Sequence, residues 1–374
     1  MNKVILKRCE DYDIVKIKNQ INSSLELLGG LNNFIKPESK VLLKVNLMTV
    51  KKPEQAATTH PIFVEALIEV FKEHNCQVVI ADSPGGPYVQ AMMKRVYKST
   101  GMSAISEKYD IELNTNLKSH EVFDNNAVLY KKMKICDYLN DIDHVISVSK
   151  MKTHAFMTFT GAVKNMFGVV PGLAKADLHM QYPALKDFSN MLIDVCNHVK
   201  PTLSFMDGIV AMEGEGPGSG VPKQMSAILT STSPHHLDVI ACKMINLDVK
   251  TVPIIYNSIE RGIVKEDFSD IELFGSIDDF ESKDYVHAKT NRLEKGHLNP
   301  ISKLFKRFPN IITKTCIGCS DCANVCPANT IDIIDKKAVI NYENCISCFC
   351  CHEFCPVKAI NVKRKFLKRL TKKA

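Results

Sequence analysis

Eight cysteines in the last quarter of the chain fall in two matched runs, and nothing else in the sequence limits its fold as tightly. Cys316, Cys319, Cys322 and Cys326 are followed by Pro327, and Cys345, Cys348, Cys351 and Cys355 by Pro356. Both runs read C-x2-C-x2-C-x3-C-P, and the second repeats the first 29 residues later. Ile317 and Ile331 recur in step as Ile346 and Ile360. A repeat that keeps cysteines, prolines and apolar neighbours in register marks two copies of one small unit.

Three thiolates spaced this way can leave one tight loop and converge, while the fourth lies beyond a turn set by proline. This is the spacing of bacterial-type iron–sulfur ligation, in which the fourth cysteine of each run serves the other cluster of a two-cluster ferredoxin. It assigns one [4Fe-4S] cluster to Cys316, Cys319, Cys322 and Cys355, and a second to Cys345, Cys348, Cys351 and Cys326. The exchange ties the halves together, so about 60 residues fold around metal rather than around a large apolar core. Structural zinc is the competing reading of paired C-x2-C units. The triple spacing with its C-P ending favours iron–sulfur. Cys350 breaks neither spacing and reads as a small filler, although it leaves the choice of ligand in the second run open.

Residues 311–361 thus resemble a bacterial 2×[4Fe-4S] ferredoxin. The preceding region resembles the domain of unknown function DUF362, often fused to such a ferredoxin. The matching stretches are Lys44-Val-Asn46, Thr58-Thr-His60-Pro61, Asp82-Ser-Pro84-Gly85-Gly86, Lys150-Met-Lys152-Thr-His154, Gly161 through Lys164-Asn165 to Gly168, and Asp207-Gly208 followed by Met212 to Pro217. The resemblance implies an architecture but no reaction, because the family carries no settled activity.

At 374 residues the chain exceeds one average domain. The expected division is an α/β domain at 1–288, a basic, polar linker at 289–309, the ferredoxin-type domain at 310–361 and a basic tail at 362–374. The formal net charge of +7 resides in that tail, which carries Lys363, Arg364, Lys365, Lys368, Arg369, Lys372 and Lys373 and no acid. It reads as a solvated end able to touch an acidic redox partner or a membrane surface, with Phe366 and Leu370 placed for a short amphipathic helix. No nucleic-acid partner is expected. Cys9, Cys76, Cys136, Cys196 and Cys242 are scattered, the amino terminus is acidic early, and no apolar run is long enough to span a bilayer. The expectation is a reducing cytoplasm.

Short apolar runs at 4–6, 41–47, 78–81, 144–149, 203–206 and 225–230 read as strands, and stretches at 15–28, 61–74, 88–98, 188–199 and 234–245 as helices, with His60 capping the second and His235-His236 opening the last. Alternation of this kind predicts a mostly parallel sheet covered by helices on both faces, followed by a small α+β ferredoxin-like domain.

Several strands run into polar residues at their carboxyl ends, the edge where parallel sheets bind ligands. Lys44 and Asn46 share one face of the second run, Asp82 follows the third, Lys150, Lys152 and His154 the fourth, and Asp207 the fifth, with Lys164 and Asn165 on the next element. This positive set suits an anionic small molecule, held by Lys44, Lys150, Lys152 and Lys164, with protons from His60 or His154. The stretch from Glu213 to Gly220 reads as a mobile loop, a candidate lid with solvated acids. Asp207, Glu213, Glu215 and His179 allow, without requiring, a divalent metal. The leading functional expectation is a ferredoxin-coupled reductase served by a redox partner protein. A plain electron carrier with a docking domain, or a ligand-binding or hydrolytic domain beside structural clusters, are its rivals.

Overall fold

The computed structural model describes residues 1–280, 282–290 and 306–364. Most of the expected linker, and the tail beyond Arg364 with its amphipathic turn, lie outside the described residues.

The chain opens with β1 (Asn2–Arg8), α1 (Ile14–Leu28), β2 (Lys40–Lys44), α2 (Pro61–Glu73), β3 (Gln77–Ala81), α3 (Gln90–Ser99), α4 (Met102–Tyr109) and β4 (Glu112–Leu113). A hairpin of β5 (Ser119–Phe123) and β6 (Lys132–Cys136) follows, then β7 (His144–His154), β8 (Thr158–Thr160), α5 (Ala162–Asn165), α6 (Ala174–Gln181) and α7 (Leu185–Val199). The large domain ends with β9 (Leu203–Glu213), β10 (Val221–Ser231), α8 (Pro234–Met244), α9 (Pro253–Glu260) and β11 (Ile271–Phe274). The cluster module holds β12 (Arg307–Ile311), α10 (Asp321–Asn324), β13 (Ile331–Ile334), β14 (Lys337–Ile340), α11 (Cys350–Phe354) and β15 (Ile360–Arg364).

The main sheet is ordered β11-β1-β10-β9-β7-β2-β3-β4, with β8 beside β7. Its β7, β2 and β3 core is parallel, while β10 runs antiparallel to both neighbours. Side chains alternate across it. Val41, Leu43, Val78 and Ile80 pack with Ile17 and Ile21 of α1 and Phe63 and Leu67 of α2. Leu42 and Val79 face the other way, onto Phe188 and Leu192 of α7 and Met133 of β6. Two covered faces explain why these strands read as unbroken apolar runs.

Several boundaries differ from the sequence reading, and two matter. The second run ends at Lys44 rather than at residue 47, and β9 continues to Glu213 instead of stopping before Asp207. Asp207 lies opposite Lys150 of β7. A carboxylate neutralised by an adjacent ammonium can stay inside a sheet, so a charge did not end this strand.

The cluster module is closed by β12 against β15 and lies on the carboxyl edge of the large sheet. Phe349 is fully buried in the cluster of residues around Phe156 and Phe188, and Lys358 Nζ donates to Gly220 O at 3.1 Å. The loop from Glu213 to Gly220 is packed beneath the module rather than waving as a lid. Ser219 Oγ donates to His352 O at 3.5 Å, and a Cβ on Gly216 would lie 2.2 Å from Thr153 O. Its acids are also engaged, Glu213 accepting from Val286 N at 2.8 Å and Glu215 lying 3.6 Å from Lys289 Nζ.

Phe354 rests on the turn after β3 so closely that a Cβ at Gly85 would fall 2.1 Å from its ring. Gly85→Ala should therefore cost about 1–3 kcal/mol through overpacking at this seam. Hydrogen exchange should quicken along α11 while β3 stays protected, and unchanged exchange at α11 would contradict this packing.

Candidate functional site

The sheet edge becomes a site because the strands end at different heights. β2 stops at Lys44, opposite Ser147, whereas β7 runs on to His154 with a register shift between Lys150 and Lys152. The overhang separates two lysines that simple alternation would keep together.

Lys150 turns into a closed network. Its Nζ lies 2.7 Å from Asp207 Oδ2 and 2.9 Å from the Tyr12 hydroxyl, which donates to Asp207 Oδ1 at 2.9 Å. His60 N also donates to Asp207, and the His60 ring stacks on Tyr12 with centroids 3.5 Å apart. As the sequence predicted, His60 caps α2, its Nδ1 accepting from Ile62 N at 3.3 Å. Burial outweighs the nearby carboxylate and pulls its ring down to about 4. Lys150, Asp207 and His60 thus depart from the predicted anion site. They form a satisfied internal structure, none of them lining the cleft described next.

Lys152 belongs to that cleft, a space of about 820 Å³ counted out to its open mouth, lying between the large domain and the cluster module. Of the expected residues, Lys44, Asn46, Asp82, Lys152, Lys164 and Asn165 line it. Lys44 is buried and paired with Asp82 at 2.8 Å, and Gly168 passes so near that a Cβ would sit 2.1 Å from Asp82. Lys152 Nζ donates to Asn46 Oδ1 at 2.7 Å and Ala57 O at 2.6 Å. Burial, reinforced by neighbouring Lys164, brings its ammonium down to about 7. Lys164 and Asn165 are presented by α5, whose first N–H groups are capped by Asp238 at 2.6 and 3.1 Å. Gly161 allows this approach, since its Cβ would lie 2.1 Å from the Asp238 carboxylate, and burial raises that carboxyl to about 7.

His154 stands behind the cleft. Phe156 N and Met157 N both donate to its Nδ1, so a neutral ring carries its proton on Nε2, 3.2 Å from Glu353 Oε1 of α11. Burial and the adjacent lysines hold this imidazole well below its ordinary range, and burial raises Glu353 despite Lys164 and Lys152.

The sequence reading missed Lys175, Thr160 and Glu353, and considered His179 only as a metal ligand. Lys175 donates to Ser83 O at 2.7 Å and Ser83 Oγ at 3.1 Å, and burial lowers it to about 8. Helix α6 buries only Leu178 and His179, so no apolar periodicity announced it. Glu353 had one signal, an acid set between ligand cysteines Cys351 and Cys355. Among the described residues no three His, Cys, Asp or Glu side chains meet at single-ion distance, so Asp207, Glu213, Glu215 and His179 make no divalent site. His179 instead stacks on Phe188 at 4.1 Å.

The cysteines surround two cavities. Cys316, Cys319, Cys322 and Cys355 line one, and Cys326, Cys345, Cys348 and Cys351 the other, the two sets that crossed ligation pairs. Four cysteines around each cavity match the four thiolates that one [4Fe-4S] cluster takes. Backbone donors already point at sulfur, from Ala338 N to Cys316 at 3.4 Å, Ala359 N to Cys355 at 3.1 Å and Thr330 N to Cys326 at 3.4 Å. Burial pushes the Cys322 thiol up to about 11 and Cys351 well above its ordinary value, a cost that cationic iron offsets. Cys350 is more than a filler. It packs beside Cys348 on the cluster side and lines the cleft on the other.

Comparison with known proteins accounts for both parts. Residues 41–243 match the family described as a domain of unknown function, DUF362, and residues 308–356 match a 4Fe-4S dicluster domain. The chain belongs to the DUF362 family and carries an iron–sulfur module at its carboxyl end. A thylakoid-associated protein of Synechocystis sp. (strain PCC 6803) is 32% identical over 256 residues, covering 68% of this chain and 77% of that relative. Among solved structures, the lactate racemase apoprotein from Thermoanaerobacterium thermosaccharolyticum matches at 12% identity and a TM-score of 0.41. A structural-genomics protein from Thermotoga maritima matches at 13% and 0.40. Each match covers 64% of this DUF362 protein and less than two thirds of the other chain, 56% and 60% respectively. Among the described residues no helix is long and apolar enough to cross a membrane.

Two outcomes follow from the burial of these lysines. Asp207→Ala strands the Lys150 ammonium and should cost about 3–5 kcal/mol in denaturant unfolding, while Lys150→Met combined with Asp207→Leu recovers most of it. Lys152 holds its proton to about pH 7 folded but to 10.5 as an ordinary lysine, so the folded state binds fewer protons between these values and ligand-free stability rises with pH there. Lys152→Met should flatten that rise by up to about one proton's worth in melts from about pH 6.5 to about pH 9. Parallel curves would show that Lys152 is not the titrating group.

Proposed function

We propose that this DUF362 protein is a ferredoxin-coupled reductase that passes low-potential electrons through two [4Fe-4S] clusters to an anionic small molecule held in the cleft. Cys316, Cys319, Cys322 and Cys355 would hold one cluster, and Cys345, Cys348, Cys351 and Cys326 the other. When bound, the clusters supply single electrons at low potential.

The observation that carries this reading is the shared wall. Helix α11 contributes Cys351 to the second cluster cavity, and Cys350, Glu353 and Phe354 to the cleft. A molecule resting against Lys152 and Lys164 therefore lies one helix away from the second cage. The first cage faces outward, with Cys319 exposed and Ile317 60% exposed, which suits exchange with a redox partner protein. Lys164 and Lys175 orient the anion, and Asn46 and Asn165 fix lysine positions by hydrogen bonds. Lys152 is suited to release a proton, because its burial tunes the ammonium close to neutrality. His154 reaches the cleft through Glu353. His60 has no part in this chemistry. A cytoplasmic setting fits the buried free thiols Cys9, Cys76, Cys136, Cys196 and Cys242.

The test is anaerobic. Purified protein should contain iron and inorganic sulfide for two cubane clusters, and its reduced form should give the paramagnetic signals of both. Reoxidation, followed optically against small carboxylates, 2-oxo acids and phosphorylated metabolites, should quicken with at least one anion. Lys164→Met should slow that step about tenfold or more while leaving dithionite reduction intact. Reoxidation indifferent to every anion would make the protein a plain carrier.

A further inference from the structure

We infer that the ligand of the cleft is a dianion, carrying its two negative charges as a pair of carboxylates or as a phosphate monoester. This deepens the reading of the cleft as an anion site and rests on it.

The argument is one of charge balance. Lys44 and Asp82 neutralise each other at 2.8 Å. The remaining charged groups lining the cleft are Lys152, Lys164 and Lys175 on one side of the balance and Glu353 on the other. Lys152 Nζ donates only to the neutral oxygens of Asn46 and Ala57, beside the sulfur of Met48. Lys175 Nζ likewise meets only neutral oxygens, those of Ser83 and Val170. Lys164 Nζ lies 5.7 Å from the Phe167 ring centre, and among the described residues it makes no hydrogen bond or ion pair. Three lysines thus face one acid, an excess of positive charge that a dianion offsets better than a monoanion. Burial makes that expensive, fully so for Lys152 and partly for half-buried Lys164 and Lys175. A singly charged ligand would offset less of that excess than a dianion, and a neutral ligand none.

A second observation points the same way. Thr160 Oγ1 and His179 Nδ1 belong to residues that line the cleft, are 2% and 7% exposed, and have no hydrogen-bond partner. His179 is kept neutral, its ring drawn down to about 3 by burial and Lys164, so it adds polarity without charge. Buried polar atoms are rarely left unpaired without a reason. Here a ligand with several acceptor oxygens would meet the lysines, the hydroxyl and the imidazole together. The carboxylates and the phosphate monoester share this chemistry, and binding alone can separate them.

The experiment uses the full-length, cluster-loaded protein and matched probes at constant ionic strength. Succinate is compared with its half-amide succinamate, and methyl phosphate with dimethyl phosphate, by anaerobic calorimetry. The dianion of at least one pair should bind about tenfold more tightly than its singly charged partner. Lys164→Met should shrink that ratio, whereas Lys16→Met, on an exposed face of α1, should not. Lys164→Met should also raise the melting temperature of the ligand-free protein by relieving repulsion, which separates a charge effect from misfolding. Equal affinity within both pairs, lost together in Lys164→Met, would overturn the dianion inference and leave the anion site standing. No binding by any of the four probes would overturn both. If only succinate discriminates the site takes dicarboxylates, and if only methyl phosphate does it takes phosphate esters. Either result upholds the inference.

Discussion

The structure depends on holding lysine ammonium groups out of water at the carboxyl edge of a parallel sheet. Lys44, Lys150 and Lys152 are all essentially buried, and each is treated differently. Lys44 and Lys150 have dedicated carboxylates, Asp82 and Asp207, at 2.8 and 2.7 Å. Lys152 has only neutral oxygens. The first two arrangements are internally balanced and behave as architecture. The third is balanced only in part, and the proposed anion site rests on that imbalance. The cluster module completes this setting by covering the edge with α11.

How much of this was legible follows from how local each signal is. The cysteine runs could be read with ligand pairings attached, because metal ligation imposes spacings within a few residues, and the same two sets of four line the two cavities. The parallel, doubly covered sheet was legible from apolar runs such as 41–47 and 78–81. Lys44, Asn46, Asp82, Lys152, Lys164 and Asn165 were found because strand ends in such a sheet share an edge.

What failed was non-local. Lys150, Asp207 and His60 resemble their neighbours in sequence, yet a register shift in β7 and the continuation of β9 send them into a different network. Strand alternation carries no information about a bulge that has not been seen. Lys175, Thr160 and Glu353 reach the cleft from three separate elements through tertiary packing, which leaves no period in the chain. The glycine-rich segment 214–220 looked loose because glycine usually signals freedom. Here it serves close approach, with the backbone pressed against Thr153 and the cluster module.

The cleft has one wall from each part of the chain, Lys152 and Lys164 opposite Glu353 and Phe354. An occupant bonded to both walls belongs to neither part alone, and thermodynamic reciprocity then applies. Whatever factor the closed seam adds to the grip on the occupant, the occupant adds to the closure of the seam. An occupant of that junction would in that sense be coupled to the closure of domain on module.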